Sequence, residues 1–206
     1  MLHDKTIIVT GAASGIGAAT AEHLASQGAK VISVDIHRPV DIVGEYIHAD
    51  LADKASIDRL VVALPEGAHG LANIAGLPPT RPPEDVLAVN LVGLKYLATQ
   101  LVPKLADGAS IVNLASLAGL GWADAKEAVD ASSKLDFGDI GAFCKAYDIV
   151  GARSYFFSKE ALIVWTMQNR WTWRERGIRM NSVSPGPVDT PILKDGDVPE
   201  AAEPMS

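Results

Sequence analysis

A chain of 206 residues, 48% of them hydrophobic, holds enough apolar material for one α/β core and too little for two. A formal net charge of −7 argues against nucleic acid or an anionic membrane surface as the main partner, and a lone cysteine excludes an internal disulfide, which suits a reducing cytoplasm. The apolar runs are interrupted well short of a membrane span, the N-terminus reads as a first strand rather than a signal core, and His3, His23, His37, His48 and His69, without metal-ligand spacing, read as surface or turn residues.

In chain order, "TIIVT" (6–10) is a strand, followed by the helix "GIGAATAEHLASQG" with Gly28 placed to end it. "KVISVD" (30–35) and "YIHAD" (46–50) are the second and third strands, and "ASIDRLVVAL" (55–64) is a helix stopped by Pro65. "GLANIAG" (70–76) is the fourth strand and residues 83–105 a long helix. "ASIVNLAS" (109–116) is the fifth strand, residues 154–176 a second long helix, and "IRMNSVSPG" (178–186) the sixth strand. Nearly continuous apolar strands alternating with helices predict a parallel sheet covered on both faces, a doubly wound α/β fold of the Rossmann type in one domain over 1–206. Residues 121–150 break the rhythm as a helical insert, with helices expected over 124–134 and 139–149. Its apolar anchors are Val129, Ile140, Phe143, Ile149 and Val150, and it is expected to cover the substrate mouth or meet a second subunit, the plain alternative being a decoration packed on its own chain.

"TGAASGIG" (10–17) lies between the first strand and the first helix. Gly11 permits a tight turn, Gly15 and Gly17 permit close approach of a diphosphate and of the neighbouring strand, and the helix N-terminus favours the anion. A Gly-rich turn alone is a weak signal; its setting, and the acid Asp35 at the end of the second strand, strengthen it. A carboxylate there accepts the two adenine-ribose hydroxyls and repels a 2′-phosphate, and Ser14 is neutral where a base would meet that phosphate. Both favour NAD over NADP, and Arg38 is read as a surface residue.

"SYFFSKEALIVW" (154–165) places Tyr155 and Lys159 four residues apart on one helix face. Taken alone, the pair is a packed phenol beside a snorkelling lysine. Ligands in doubly wound sheets bind beyond the carboxyl ends of the strands, which is where "NIAG" (73–76), Ser116 and "PGPVDT" fall, with Asn90 on the helix after strand four.

The set "TGAASGIG", "NIAG", Asn90, Ser116, "YFFSK" and "PGPVDT", in this order and reaching to about Leu193, resembles the short-chain dehydrogenase/reductase family. The resemblance implies that Tyr155 is the acid/base and that Lys159 lowers the phenol's pKa and holds the nicotinamide ribose. It makes Ser116 a donor to the substrate oxygen and Asn90 the anchor of a water in a proton relay. Beside these stand plain readings as a strand-end serine, a helix-interior asparagine and a snorkelling lysine. The resemblance also implies NAD contacts at Gly11, Ser14, Gly15, Ile16, Gly17, Asp35, Asp50, Leu51, Asn73, Ala75, Gly76, Tyr155, Lys159, Pro185, Gly186, Val188 and Thr190. It departs from the family pattern at Ile74, where a second asparagine is usual, in the long gap from Ser116 to Tyr155, and in lacking the family's final helix and strand. That insert is similar to two branches, the coniferyl-alcohol dehydrogenases and the 3α-hydroxysteroid dehydrogenase/carbonyl reductases. The implied activity is NAD-dependent interconversion of an alcohol and a carbonyl on an aromatic or alicyclic substrate by a cytoplasmic homo-oligomer, dimer or tetramer. The alternative is a shortened, non-catalytic NAD-binding protein. Trp122 reads equally as a stacking surface for a ring or as a packing residue.

Overall fold

The computed structural model describes residues 2–195. Six strands form one parallel sheet: β1 (Thr6–Thr10), β2 (Lys30–Asp35), β3 (Glu45–His48), β4 (Ala68–Asn73), β5 (Leu105–Leu114) and β6 (Arg179–Val183). Their spatial order is β3-β2-β1-β4-β5-β6, so the order reverses between β1 and β4 and the expected doubly wound α/β fold is present. Register places Val9 beside Ser33 and Ala72, which aligns the carboxyl ends of β1, β2 and β4 at one rim.

The sheet is covered because its strands are apolar on both faces. Ile8 points into a core built with Ile57, Leu60, Leu97 and Leu101, from α2 (Lys54–Ala63) and α4 (Leu94–Leu101). Val9, the next residue, points to the opposite side, where Ala21 of α1 (Gly15–Ser26) packs. The helix after β4 is not uniform: α3 (Pro83–Leu87) passes into a π-helical segment, Ala88–Gly93, before α4. The stretch Pro83–Lys104 is long and apolar enough to cross a membrane by composition, but most of it is buried within this fold.

The second long helix is shorter than its sequence suggests. α7 (Arg153–Asn169) stops before "RWTWRER", where Trp173 packs on the main core and Gly177 at φ 66° turns the chain into β6. His69 is not a turn residue either: it lies within β4, and its Nδ1 accepts the Thr6 N–H at 3.2 Å.

The insert forms α5 (Lys126–Ala131), α6 (Ile140–Ala146) and connecting 3-10 turns. Val129, Ile140, Phe143 and Ile149 are buried in a second core with Leu87, Leu91 and Leu94 of the helix after β4 and Phe157 of α7. Val150 is no anchor; it is 61% exposed. Trp122 packs against this same cluster and does not reach the cavity described below. The insert's apolar side is therefore spent within its own chain. Lys95 of α4 fixes it further, donating from a buried Nζ to the carbonyls of Ser132 (2.8 Å) and Ser133 (3.1 Å). The short helix α8 (Pro191–Asp195) follows β6.

Candidate active site

A cavity of about 490 Å³ opens at the carboxyl rim, where the strand order reverses. The glycine loop enters it through Gly11, Ser14, Gly15, Ile16 and Gly17. Asp35, Asp50 and Leu51 line it from the ends of β2 and β3, and Ala75 and Gly76 from beyond β4. Thr190 closes one side, its side chain facing Gly15. Asn73, Tyr155, Lys159, Pro185, Gly186 and Val188 do not line it, nor do Asn90 and Ser116. For Asn73 the reason is its strand position: it is buried, its Nδ2 donates to Asn113 Oδ1 at 3.0 Å, and its Oδ1 has no partner among the described residues. It holds β4 to β5 instead of facing the cavity.

The loop has this shape because two glycines let the backbone cross itself. Gly11 sits at φ 71°, and a Cβ there would lie 2.7 Å from the Ala75 Cα. A Cβ on Gly17 would lie 1.9 Å from the Gly11 carbonyl oxygen. Thr10 ties this crossing to strand four: its hydroxyl accepts the N–H groups of Ile74 (3.0 Å) and Ala75 (3.1 Å). Ser14 is the N-cap of α1, yet its side chain makes no capping bond, so an exposed hydroxyl and the first-turn amides face the cavity. The Asp35 carboxylate accepts the Ala13 N–H and the His37 N–H, each at 2.9 Å, which orients it over the loop. Arg38 is exposed and stacks on Tyr46 at 5.5 Å, as its surface reading anticipates.

Four side chains assemble beyond the ends of β4 and β5. Asn90 sits in the π-helical segment, whose extra residue per turn swings its amide toward the loop after β4. It accepts the Leu77 N–H at 2.7 Å and donates to the Leu77 carbonyl at 3.0 Å. Ser116 caps the 3-10 turn Leu117–Ala123, its oxygen accepting the Ala118 N–H at 3.2 Å. Tyr155 lies in the first turn of α7. Lys159 is buried one turn on, 5.6 Å from the centre of the Tyr155 ring, and donates to the Leu114 carbonyl at 2.7 Å.

Electrostatics differ from the sequence expectation. Burial raises the Tyr155 pKa above its ordinary 10.0, and the facing Ser116 hydroxyl lowers it in part; Lys159 contributes no resolved effect. Lys159 is itself pulled down to about 8 by burial. The Lys159 ammonium is bound to the Leu114 carbonyl 5.6 Å from the ring centre, and burial is the larger influence on the phenol. Elsewhere Cys144 is a buried core thiol pushed up to about 11, first by desolvation and then by Glu84, and no group of metal-ligating side chains occurs among the described residues.

Sequence reasoning missed Thr10, Arg81 and the Leu114 carbonyl, all on the cavity wall. The Thr-Gly pair at the strand end carried a signal for Thr10. Nothing in "PPTRPPE" distinguishes Arg81, and a carbonyl has no signature in sequence.

The short chain dehydrogenase family model matches residues 5–135. A coniferyl-alcohol dehydrogenase from a Pseudomonas species is 41% identical over 196 residues, spanning 94% of this chain and 77% of that protein. A 3-alpha-hydroxysteroid dehydrogenase/carbonyl reductase from Comamonas testosteroni is 31% identical over 200 residues, spanning 92% of this chain and 75% of that one. Among solved structures, the 3-alpha-hydroxysteroid dehydrogenase of a Pseudomonas species in complex with NADH is similar at a TM-score of 0.79 and 30% identity. It aligns over 92% of this chain and 75% of that one.

Proposed function

This chain belongs to the short-chain dehydrogenase family of oxidoreductases, and on that premise we propose that it interconverts an alcohol and a carbonyl with NAD, on an aromatic or alicyclic substrate such as a coniferyl-type alcohol. The observation that carries the reading is Ser116 facing Tyr155, with Lys159 one turn along and bound to the carbonyl of Leu114, a wall residue of the cavity whose far end is the glycine loop and Asp35. The residues fit the cofactor: the unspent Ser14 hydroxyl and α1 amides suit a diphosphate, and the oriented Asp35 carboxylate suits a ribose diol and opposes a 2′-phosphate. Bound NAD supplies the hydride acceptor, and its reduced form the donor.

The chain's own groups handle the oxygen and its proton. Tyr155 takes the alcohol proton in oxidation and returns it in reduction, while Ser116 donates to the same oxygen and stabilises charge on it. Because burial favours the neutral phenol, Tyr155 stands ready as an acid for carbonyl reduction, and alcohol oxidation gains as pH rises toward its ionisation. Asn90 is fixed on Leu77, and its Nδ2 lies 3.5 Å from the Ser158 hydroxyl, one residue before Lys159. The same reading includes one NAD-binding unit over the chain and a homo-oligomer, dimer or tetramer, in the cytoplasm.

The test is a screen of phenylpropanoid, steroid and simple aliphatic alcohols with NAD, run on wild type and Tyr155→Phe. Turnover with a ring-bearing alcohol is expected, and Tyr155→Phe should retain NAD binding while losing about 10²–10⁴-fold in rate. Equal rates in the two proteins would refute the assignment. No turnover with any alcohol, alongside intact NAD binding, would favour the non-catalytic alternative.

A further inference from the structure

Ser116 stands on a short turn that the chain joins to α7, the helix carrying Tyr155 and Lys159, only through the insert. What sets their spacing is a close contact at Gly119. Its N–H donates to the Ser116 carbonyl at 3.0 Å, so the two residues move together. Gly119 is buried, and a Cβ built on it would lie 2.7 Å from each of three atoms: the Lys159 carbonyl carbon, the Lys159 oxygen and Ile163 Cδ1. Two of the three are backbone of α7 and cannot rotate away. A Cβ built on Gly121, two residues on, would lie 3.4 Å from a Glu160 carboxylate oxygen, and Arg153 holds that carboxylate at 2.6 Å. On its other side the turn is held to β6, with Leu117 N–H donating to the Pro185 carbonyl at 3.0 Å.

We infer that Gly119 is a positioning residue: its missing side chain seats the Leu117–Ala123 turn on the α7 backbone at Lys159 and thereby holds Ser116 against Tyr155. Any side chain would push the turn out by about 0.7 Å, the difference between 2.7 Å and the 3.4 Å at which ordinary contact begins. Displacements near 1 Å at a reacting centre cost on the order of 10²-fold in rate. The inference rests on the proposed function for its rate consequences, but its geometric part can be read without turnover.

The experiment compares Gly119→Ala, Ser116→Ala, the double variant and Gly141→Ala, whose added Cβ meets nothing within 4 Å. Gly119→Ala should lower kcat about 10- to 100-fold with KM for NAD unchanged. In the Ser116→Ala background the same change should cost less than about 2-fold, because the group it displaces is already gone. Gly141→Ala should match wild type. In unliganded protein, a pH titration of ¹³Cζ-labelled tyrosine should show the Tyr155 midpoint rising in Gly119→Ala and in Ser116→Ala, with no further rise in the double variant.

If Gly119→Ala fails to melt cooperatively, Ile163→Phe presses on the same contact from the helix side and should give the same Ser116-dependent result. Equal kcat losses in both backgrounds, or an unmoved Tyr155 midpoint in folded Gly119→Ala or Ile163→Phe, would overturn the inference. Should wild type turn over no alcohol, the proposed function fails and the tyrosine titration alone decides the role of Gly119.

Discussion

Lys159→Met replaces a buried ammonium by an apolar side chain of similar length. The fall of the Lys159 pKa from 10.5 to about 8 corresponds to roughly 3 kcal/mol of folding free energy lost by carrying the charge into the interior. The substitution also removes the donor to the Leu114 carbonyl, which costs about 1 kcal/mol. The variant should therefore be more stable than wild type by about 2 kcal/mol at pH 7, a rise in Tm of roughly 4–8 °C for a chain of this size. The sign follows from proton counting. Between pH 8 and 10.5 the unfolded chain binds more protons at this lysine than the folded chain, so wild-type stability rises with pH across that window. Met has no such dependence, so the gap between the two proteins should be full below pH 8 and should close and then reverse by about 1 kcal/mol, the lost bond to Leu114, above 10.5. Urea unfolding of both proteins at half-unit pH steps from 7 to 11 measures the gap directly, and shared alkaline effects cancel in the difference. A gap that is absent or reversed in sign at pH 7, or constant across the window, would refute the reasoning. The same variant should bind NAD more weakly and lose turnover, so Lys159 would be a residue held at a cost in stability for the sake of the site.

Other outcomes follow from individual contacts. Asp35→Ala should narrow the preference for NAD over NADP in paired binding titrations, and it should also cost about 1–2 kcal/mol by leaving the Ala13 and His37 amides without an acceptor. A wild type that binds NADP as tightly as NAD would contradict the role given to this carboxylate. Lys95→Met should leave global stability within about 1 kcal/mol, because relief of the burial that holds the lysine near 8 offsets two lost bonds to Ser132 and Ser133. Its effect should be local: amide exchange in α5 and the following turn should speed up by about tenfold, and unchanged exchange there would show that the apolar anchors alone hold the insert.

Pattern and spacing made the sheet legible. Each strand is a short apolar run between turn residues, and handed crossovers make the sheet doubly wound, while the strand order itself came from the structure. The glycine loop and Asp35 were legible because a strand, a Gly-rich turn and a helix in sequence already confine where an anion can sit. Helix ends were less so: "RWTWRER" carries helical composition, but packing Trp173 on the core and turning toward β6 at Gly177 outweighed local propensity. Asn73 was misplaced because strand alternation alone does not say whether a rim asparagine faces a cavity or a neighbouring strand, and Asn113 decided it.

The sequence by itself determined the fold class, the rim where chemistry belongs and the set of side chains that meet there, since all three depend on periodicity and order along the chain. Only the tertiary structure decided how those side chains behave. That Lys159 donates to the Leu114 carbonyl, that burial raises the Tyr155 pKa, that the insert packs inward and that Gly119 lies against the α7 backbone all depend on burial and on contacts between residues far apart in sequence. Desolvation is a property of the surroundings a group acquires on folding, and no spacing between letters encodes it.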